Sequence, residues 1–279
     1  MTESVLYEAP GPVARRRSLL ASAVVGAALL AVLVWVLVTL GARGQLTAEK
    51  WAPLLDPTND TFAPLWALFG AGLGSTALAA ALAMLFSLVL GTALAVARVS
   101  AAAWYRWAVV GVVELLRGVP VVIAIYYAGR VLPAVGVELP TLWYLVIGLT
   151  AYNSVIIAEI VRAGIQSLPR GQREAAQAIG LRRSQVLGSV LLPQAFRAML
   201  PALISQLVVI VKDTSLGFIL SYVDLVRQGQ IVIQNLHNPI QVYFVIGVVF
   251  VLVNYALSRL AVAAERRVGR ARRAVVAGG

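Results

Sequence analysis

The sequence predicts an all-α protein that crosses a membrane six times. Hydrophobic residues make up 60% of the 279 residues and charged residues 13%, with a mean hydropathy of +0.86. A soluble globular domain has about 45–50% apolar and about 25% charged residues, so that class is excluded. The apolar residues form runs near the ~20 that a helix needs to cross a bilayer. The chain is therefore a polytopic membrane protein.

The net charge of +11 has two interpretations, a nucleic-acid surface or charge that orients the chain in the membrane. The cations cluster between apolar runs and at the two ends rather than along one amphipathic face, which favours orientation over nucleic acid. The sequence has no cysteine, so disulfides, thiolate metal sites and thiol nucleophiles are excluded.

The chain begins with a polar arm, residues 1–17, which we expect to be disordered and which ends in Arg15, Arg16 and Arg17. The apolar run 18–40 exceeds the ~7–15 residues of a signal-peptide core, so it predicts an uncleaved first span that starts in the cytoplasm. A cleaved leader is the alternative. Residues 41–64 are charged, contain several prolines and lack periodicity, which predicts an external loop.

The second apolar run, residues 65–99, is too long for one upright span, and we expect 65–74 to form an interfacial or tilted lead-in. The third span is expected at 107–129. Near its start Glu114 and Arg117 lie three residues apart, and Pro120 follows a glycine and a valine, so the helix can kink there. Glu114 and Arg117 form either a structural ion pair or part of a hinge that gates a pathway.

The last three spans are predicted at 141–163, 198–222 and 240–264, separated on the outside by 130–140 and 223–239. Placing both termini in the cytoplasm assigns most of the 23 Lys and Arg residues to cytoplasmic segments, as the positive-inside rule requires. The predicted organisation is an arm (1–17), a first span with its external loop (18–64), a transmembrane domain (65–264) and a basic tail (265–279).

A charged segment at about 163–197 separates the fourth and fifth spans. An arginine at bilayer depth costs about 2.5–3.5 kcal/mol, so this segment lies in water. Apolar residues recur at helical spacing on both sides of Gly180, which suits the left-handed end of a helix, and Pro193 cannot occupy a helix interior without losing a hydrogen bond. We expect a helix, a sharp turn, a second helix and then a break. A helix lying flat on the lipid is the alternative.

Four polar residues interrupt the fifth span: Lys212, Asp213, Thr214 and Ser215. Lys212 lies about 21 Å along the helix, beyond the midplane of a ~30 Å core, where ionisable residues usually face the bundle interior or a water-filled pathway. One hypothesis is that Lys212 and Asp213 line a pathway and bind the carboxylate and the ammonium of a zwitterionic ligand. The other is that they stabilise packing or a gate, because adjacent helical residues point about 100° apart.

Enzymatic chemistry is not indicated. The sequence contains no phosphate-binding Gly-x-x-x-x-Gly-Lys-Ser/Thr loop and no His pair with metal spacing, so we expect no ATP hydrolysis by this chain, no bound cofactor and no metal. The lone His237 is expected to be a solvated loop residue. A membrane enzyme would need clustered His or carboxylate groups. A secondary amino acid transporter, which would work without an ATPase, is the alternative class, although no internal repeat with paired broken helices is found.

The charged segment resembles a family signature. Glu174, Ala175 and Ala176, followed at fixed spacing by Gly180 and the pair ending in Pro193, resemble the EAA motif of importer-type ABC permeases, with Val at position 190 instead of the usual Ile. The sequence around Tyr152, Glu159 and Lys212 is similar to the subfamily that imports polar amino acids. The resemblance covers about residues 72–265.

This resemblance implies a type I ABC importer core of five helices, preceded here by one extra helix, in a bacterial plasma membrane. The charged segment would be a coupling helix that docks into a separate ATPase dimer, which binds ATP and Mg²⁺; the residues implied are Glu174, Ala175, Ala176, Gly180 and Pro193. Other implied partners are a second, related permease subunit, an extracellular substrate-binding lipoprotein and membrane lipids. The implied pathway residues are Lys212, Asp213, Thr214, Ser215, Asn153 and Glu159.

The resemblance also bears on the substrate. Residues 4–12 and the extra first span are similar to the glutamate-uptake permeases of actinobacteria, which implies glutamate or another polar amino acid. Asn153 stands where the family commonly has a residue with a hydroxyl group. This difference implies that Asn153 contributes to the choice of ligand.

Overall fold

The computed structural model describes residues 11–100 and 103–277, with side chains described for 11–99, 107, 108 and 110–263. Residues 1–10 of the predicted arm and the side chains of the tail arginines lie outside the described residues. The helices of the described part are Pro12–Ala42 (α1), Ala48–Leu55 (α2), Phe62–Ser100 (α3), Ala103–Gly118 (α4), Val121–Ala134 (α5), Thr141–Gln166 (α6), Arg170–Ala178 (α7), Arg183–Gln185 (α8), Leu192–Asp213 (α9), Leu225–Leu236 (α10) and Pro239–Ala277 (α11). A π-helical turn, Val186–Leu191, joins α8 to α9, and a 3-10 helix, Thr214–Leu220, follows α9.

The predicted class of fold, an all-α membrane protein, is confirmed. In the described ranges, five segments are each long and apolar enough to cross a membrane. They are α1, α3, α6, the continuous segment from α8 to the 3-10 helix, and α11. The pair α4 and α5 passes the same test together, although the two helices meet at 98°. Counted as one broken span, this pair gives the six crossings expected from the sequence.

The chain divides into two compact units, residues 1–62 and 63–279. In the first unit, α1 starts at Pro12 and includes the three arginines expected in a disordered arm, so the described part of the arm is helical. Pro12 is favourable there because the first turn of a helix needs no proline N–H. None of the residues of α1 is buried, and a helix that is apolar on all sides is compatible with lipid. The loop expected at 41–64 contains the short helix α2.

In the second unit, α3 is one unbroken helix of 39 residues, about 58 Å long at 1.5 Å per residue. The lead-in expected at 65–74 is continuous with the rest of the helix, because the glycines at its end do not interrupt it. The helix accommodates its length by extending beyond the ~30 Å hydrocarbon core or by tilting.

The third span differs most from expectation. Pro120 has φ −56° and ψ 138°, an extended conformation, because proline cannot donate the next helical hydrogen bond and disfavours a helical residue before it. The predicted kink is therefore a full break. Helix α5 then continues to Ala134, so Arg130 belongs to a helix and not to the expected external turn.

Helix α6 is the centre of the second unit and contains a large share of its buried residues. At one end it packs with α3, the π turn and α9 in a hydrophobic cluster that includes Ala95, Val161 and Leu203. At the other end it packs with α3, α5 and α9 in a cluster that includes Ile125 and Ile210. Small residues permit this proximity, which lipid-embedded helices need because packing rather than water exclusion holds them together.

Gly148 shows how close the helices come. A Cβ at Gly148 would lie 2.5 Å from the Cα of Ile125, so only glycine allows α5 and α6 to meet at this point. The extracellular loop expected at 223–239 also has more structure than predicted, since it contains α10, whose first turn is capped by Asp224.

Candidate functional site

The candidate site is built around the charged loop, defined here as residues 167–191, between the end of α6 and the start of α9. Its first helix, α7, begins after Pro169 and has one buried residue, Ala176. Ala176 belongs to the hydrophobic cluster formed with α6, the π turn and α9. Glu174 and Ala175 are exposed. The three alanine and glutamate positions of the motif therefore have different environments: one anchors the helix and two face outward.

Gly180 ends this helix as the sequence predicts, with φ +85°. Its N–H donates to the carbonyl of Gln177 (2.9 Å), and the N–H of Leu181 donates to the carbonyl of Ala176 (3.2 Å). This pair of hydrogen bonds is the Schellman motif, which satisfies the last free carbonyls of a helix and requires a left-handed residue. The turn is therefore fixed by the backbone and not by a side-chain contact.

Ile179 lies at the tip of the turn and is 78% exposed. The sequence pattern grouped it with the apolar face of α7, but its position as the C-cap residue turns it away from the core. The exposed surface of the loop thus combines a carboxylate, Glu174, with a small residue, Ala175, and a large apolar side chain. Such a combination is suited to contact with another protein.

The break expected at Pro193 is absent. Arg183–Gln185, the π turn and α9 follow one another without interruption, and Pro193 lies in the first turn of α9. The prediction was wrong because a π turn, with its wider hydrogen-bond spacing, accommodates a residue that the regular α-helical pattern would reject. Gln194 then links the two sides of the loop, since its Nε2 donates to Oε1 of Gln172 (3.0 Å) and to the carbonyl of Val190 (3.0 Å).

Glu159 joins two helices, α3 and α6, at the base of the loop. It forms ion pairs with Arg98 at the end of α3 and with Arg162 one turn later in α6 (2.6 Å). Arg162 also donates to the side chain of Gln166 (2.9 Å). Glu159 is 29% exposed, so these pairs act mainly by fixing where the two helix ends lie. The sequence showed the partner three residues away but not Arg98, which is distant along the chain.

Glu114 and Arg117 behave differently from the expected ion pair. Both are exposed, and among the described side chains they form no ion pair with each other. Exposed charges three residues apart gain little from pairing because water solvates each of them. Both lie on α4, directly before the 98° break between α4 and α5.

The four polar residues of the fifth span lie where α9 tightens into the 3-10 helix. Lys212 is exposed, Asp213 is partly buried and Thr214 is fully buried. Thr214 donates to the carbonyl of Val211 (2.8 Å), and Ser215 donates to that of Lys212 (2.6 Å). Both hydroxyls are therefore engaged with their own backbone.

Asn153 is fully buried and lies between α6 and α9. Its Nδ2 donates to the carbonyl of Leu149 (2.8 Å), and its Oδ1 accepts from Nε2 of Gln206 (2.7 Å). This buried amide pair was not found from the sequence, because the two residues are 53 positions apart.

Asp224 was also missed as a structural residue. It is fully buried, its Oδ1 accepts from the N–H of Arg227 (2.8 Å), and burial raises the pKa of its carboxyl to about 6. An aspartate directly before an amphipathic run is a helix-start signal, so the sequence did contain an indication of α10.

The loop borders a cavity of about 690 Å³. Its lining residues come from the end of α3, from α7, from α8 and from the π turn: Val99, Arg173, Gln177, Arg183, Ser184, Val186, Leu187 and Leu191. Among the residues that the structure describes, no group of three or more His, Cys, Asp or Glu side chains could hold a metal ion.

The described residues form a multi-span helical bundle with a structured loop between two of its spans, as in a polytopic membrane protein. The chain belongs to the binding-protein-dependent transport system inner membrane component family, whose model matches residues 87–270. It is thus the membrane-spanning permease subunit of an ABC importer in the plasma membrane, and the family predicted from the sequence is confirmed.

Several characterised proteins are similar to this chain. The glutamate transport system permease protein GluD of Corynebacterium glutamicum is 39% identical over 246 residues, 85% of this chain and 87% of that protein. The probable glutamine ABC transporter permease protein GlnM of Bacillus subtilis is 33% identical over 67% of this chain and 87% of that protein. The crystal structure of an amino acid ABC transporter with histidines matches 74% of this chain and 97% of that one, with a TM-score of 0.68 at 27% identity.

Proposed function

We propose that this chain forms the translocation pathway of an ATP-driven amino acid importer and that its substrate is glutamate or another polar amino acid. The names of the similar proteins support the substrate class, since they refer to glutamate, glutamine and amino acid transport. The similarity to the glutamate permease extends over most of both chains, which favours glutamate within that class.

We propose that the charged loop docks onto a separate ATPase dimer. One observation supports this best: α7 turns its apolar residue Ala176 inward and exposes Glu174, Ala175 and Ile179 on a turn fixed by Gly180. A helix lying on lipid would instead direct a broad apolar face outward. Pro193, at the start of α9, contributes by setting where the loop joins the span.

The rest of the proposed assembly follows from this docking. The loop and both termini face the cytoplasm, and ATP with Mg²⁺ is held by the ATPase dimer and not by this chain, whose sequence has no phosphate-binding loop. A second, related permease subunit completes the pathway, and an extracellular lipoprotein delivers the amino acid.

Within the pathway, Lys212 is the residue best placed to meet a substrate carboxylate, because its side chain is exposed while Thr214 and Ser215 are bonded to backbone carbonyls. Lys212→Met is expected to weaken substrate binding in detergent, and Lys50→Met, the same change in the other lysine of the chain, is expected to leave it unchanged. Normal affinity in the first variant would remove the ligand role and leave a packing or gating role for Lys212 and Asp213.

The decisive experiment is reconstitution in liposomes with the ATPase and with candidate binding proteins loaded with glutamate, glutamine or arginine. We expect glutamate accumulation that requires ATP on the side of the charged loop. Accumulation by this chain alone without nucleotide would overturn the proposal in favour of a secondary transporter, and uptake of arginine alone would overturn the substrate assignment.

A further inference from the structure

The cavity beside the charged loop has a distinctive lining. Arg173 of α7 and Arg183 of α8 contribute two guanidinium groups from the two sides of the turn, and Gln177 and Ser184 add neutral polar groups. The remaining lining residues are apolar and include Val99 at the end of α3. A cavity lined by both cationic and apolar side chains is complementary to an anionic amphiphile.

The two arginines have no acidic partner among the described residues: the ion pairs found there involve Arg98 and Arg162, both with Glu159. Both side chains are exposed, so their charge is accessible to an anion that enters the cavity. The guanidinium group of an arginine can donate two parallel hydrogen bonds to the oxygens of one phosphate.

The size and position of the cavity narrow the choice of anion. Its volume of about 690 Å³ lies within the roughly 300–1,000 Å³ typical of sites for organic ligands and far exceeds the ~30 Å³ of a single water molecule. Val99 lies at the end of the long apolar run of α3, directly after Arg98. The cavity therefore lies where the apolar run of α3 ends and the charged loop begins.

We infer that this cavity binds a phosphate group that carries an apolar portion, with Arg173 and Arg183 on the phosphate and with Val99 and Leu187 against the apolar part. The source that fits the position is an anionic phospholipid of the leaflet on the loop side, and a soluble organic phosphate shares the same chemistry. Occupancy stabilises the charged loop because it neutralises the two guanidinium groups. The docking surface proposed above uses other side chains of the loop: Glu174, Ala175 and Ile179.

The test measures the thermal unfolding midpoint of the full-length protein in detergent, together with any subunits that co-purify. Phosphatidylglycerol, phosphatidylcholine, glycerol 3-phosphate and inorganic phosphate are each titrated. The variant is Arg173→Gln with Arg183→Gln. The matched control is Arg170→Gln with Arg182→Gln, which removes the same charge from exposed positions of the same loop that do not line the cavity.

We expect phosphatidylglycerol to raise the midpoint saturably in the wild type and in the control, and to act at an at least tenfold higher concentration in the cavity variant. Replacement of both arginines by lysine is expected to give an intermediate response, because the charge is kept and the fork is lost. An equal effect of glycerol 3-phosphate in the wild type supports the site and assigns it to a soluble phosphate.

Equal responses to phosphatidylglycerol and phosphatidylcholine would overturn the inference, as would an unchanged phosphatidylglycerol response in the cavity variant. A response that disappears once an ATPase subunit is bound would also overturn it, since the partner protein would then fill the cavity. None of these readouts depends on transport, so failure here is distinguishable from failure of the proposed importer function.

Discussion

Substitution of Gly180 tests the effect of backbone conformation in the loop turn without the effect of side-chain contacts. A Cβ at this position would meet no atom within 4 Å, while φ is +85°. Gly180→Ala therefore introduces only the cost of the left-handed conformation, about 1–2 kcal/mol, which lowers the population of the formed turn about 5–30-fold. Gly180→Val is expected to cost more because a β-branched residue at positive φ is a rare outlier. Asparagine tolerates this conformation, so Gly180→Asn is expected to be mild.

The assay is ATP-dependent uptake in liposomes, together with co-purification of the ATPase. The control is Gly171→Ala, in the same loop, where the Cβ also meets nothing within 4 Å and φ is not positive. We expect uptake to decrease in the order wild type, Asn, Ala, Val, with unchanged membrane insertion. Wild-type uptake by the valine variant would refute the role of the turn, and equal losses with asparagine and valine would show that any side chain, and not the backbone conformation, is the cause.

Three further predictions concern buried groups. The raised pKa of Asp224, about 6 against about 3.9 unfolded, means that the folded state holds its proton more tightly; stability is highest at low pH and falls by about 3 kcal/mol as pH rises through 6. Asp224→Asn is expected to flatten this slope in thermal unfolding between pH 4.5 and 7, and an unchanged slope would assign it to another group. Gly148→Ala is expected to destabilise by about 1–3 kcal/mol through overpacking, whereas Gly247→Ala, which meets nothing within 4 Å, should leave the unfolding midpoint unchanged; equal midpoints would contradict the close contact. Asn153→Leu alone leaves a buried amide on Gln206 and should cost about 1–3 kcal/mol, while replacement of both residues by leucine should recover most of it, and an additive loss would argue against the pair.

Local backbone chemistry could be predicted from the sequence. Gly180 adopts the left-handed conformation and Pro120 interrupts the third span, because both outcomes depend on a residue and its immediate neighbours. The left-handed turn needed no information about the rest of the fold. The size of the break at Pro120 did need that information, since the 98° angle between α4 and α5 depends on how α5 packs against α6.

Contacts between distant residues could not be predicted. Arg98 and Glu159 lie 61 positions apart, and nothing in their local sequence pairs them. The sequence also suggested Arg162 as the partner of Glu159, and that pair exists. The local rule failed at Pro193, where it predicted a break in the helix. The structure instead has a π turn before α9, and hydrophobic periodicity does not reveal a π turn.

Residues Arg183 through Asp213 form one uninterrupted helical segment, although the sequence divides them between the charged loop and the fifth span. In the proposed importer, a displacement of the loop would be transmitted along this helical segment for roughly 40 Å, at 1.5 Å per residue, to the neighbourhood of Lys212. Pro201, inside α9, is where the segment bends most easily because proline removes one backbone hydrogen bond. The displacement would therefore reach the far end partly as a rotation about Pro201 and not only as a translation.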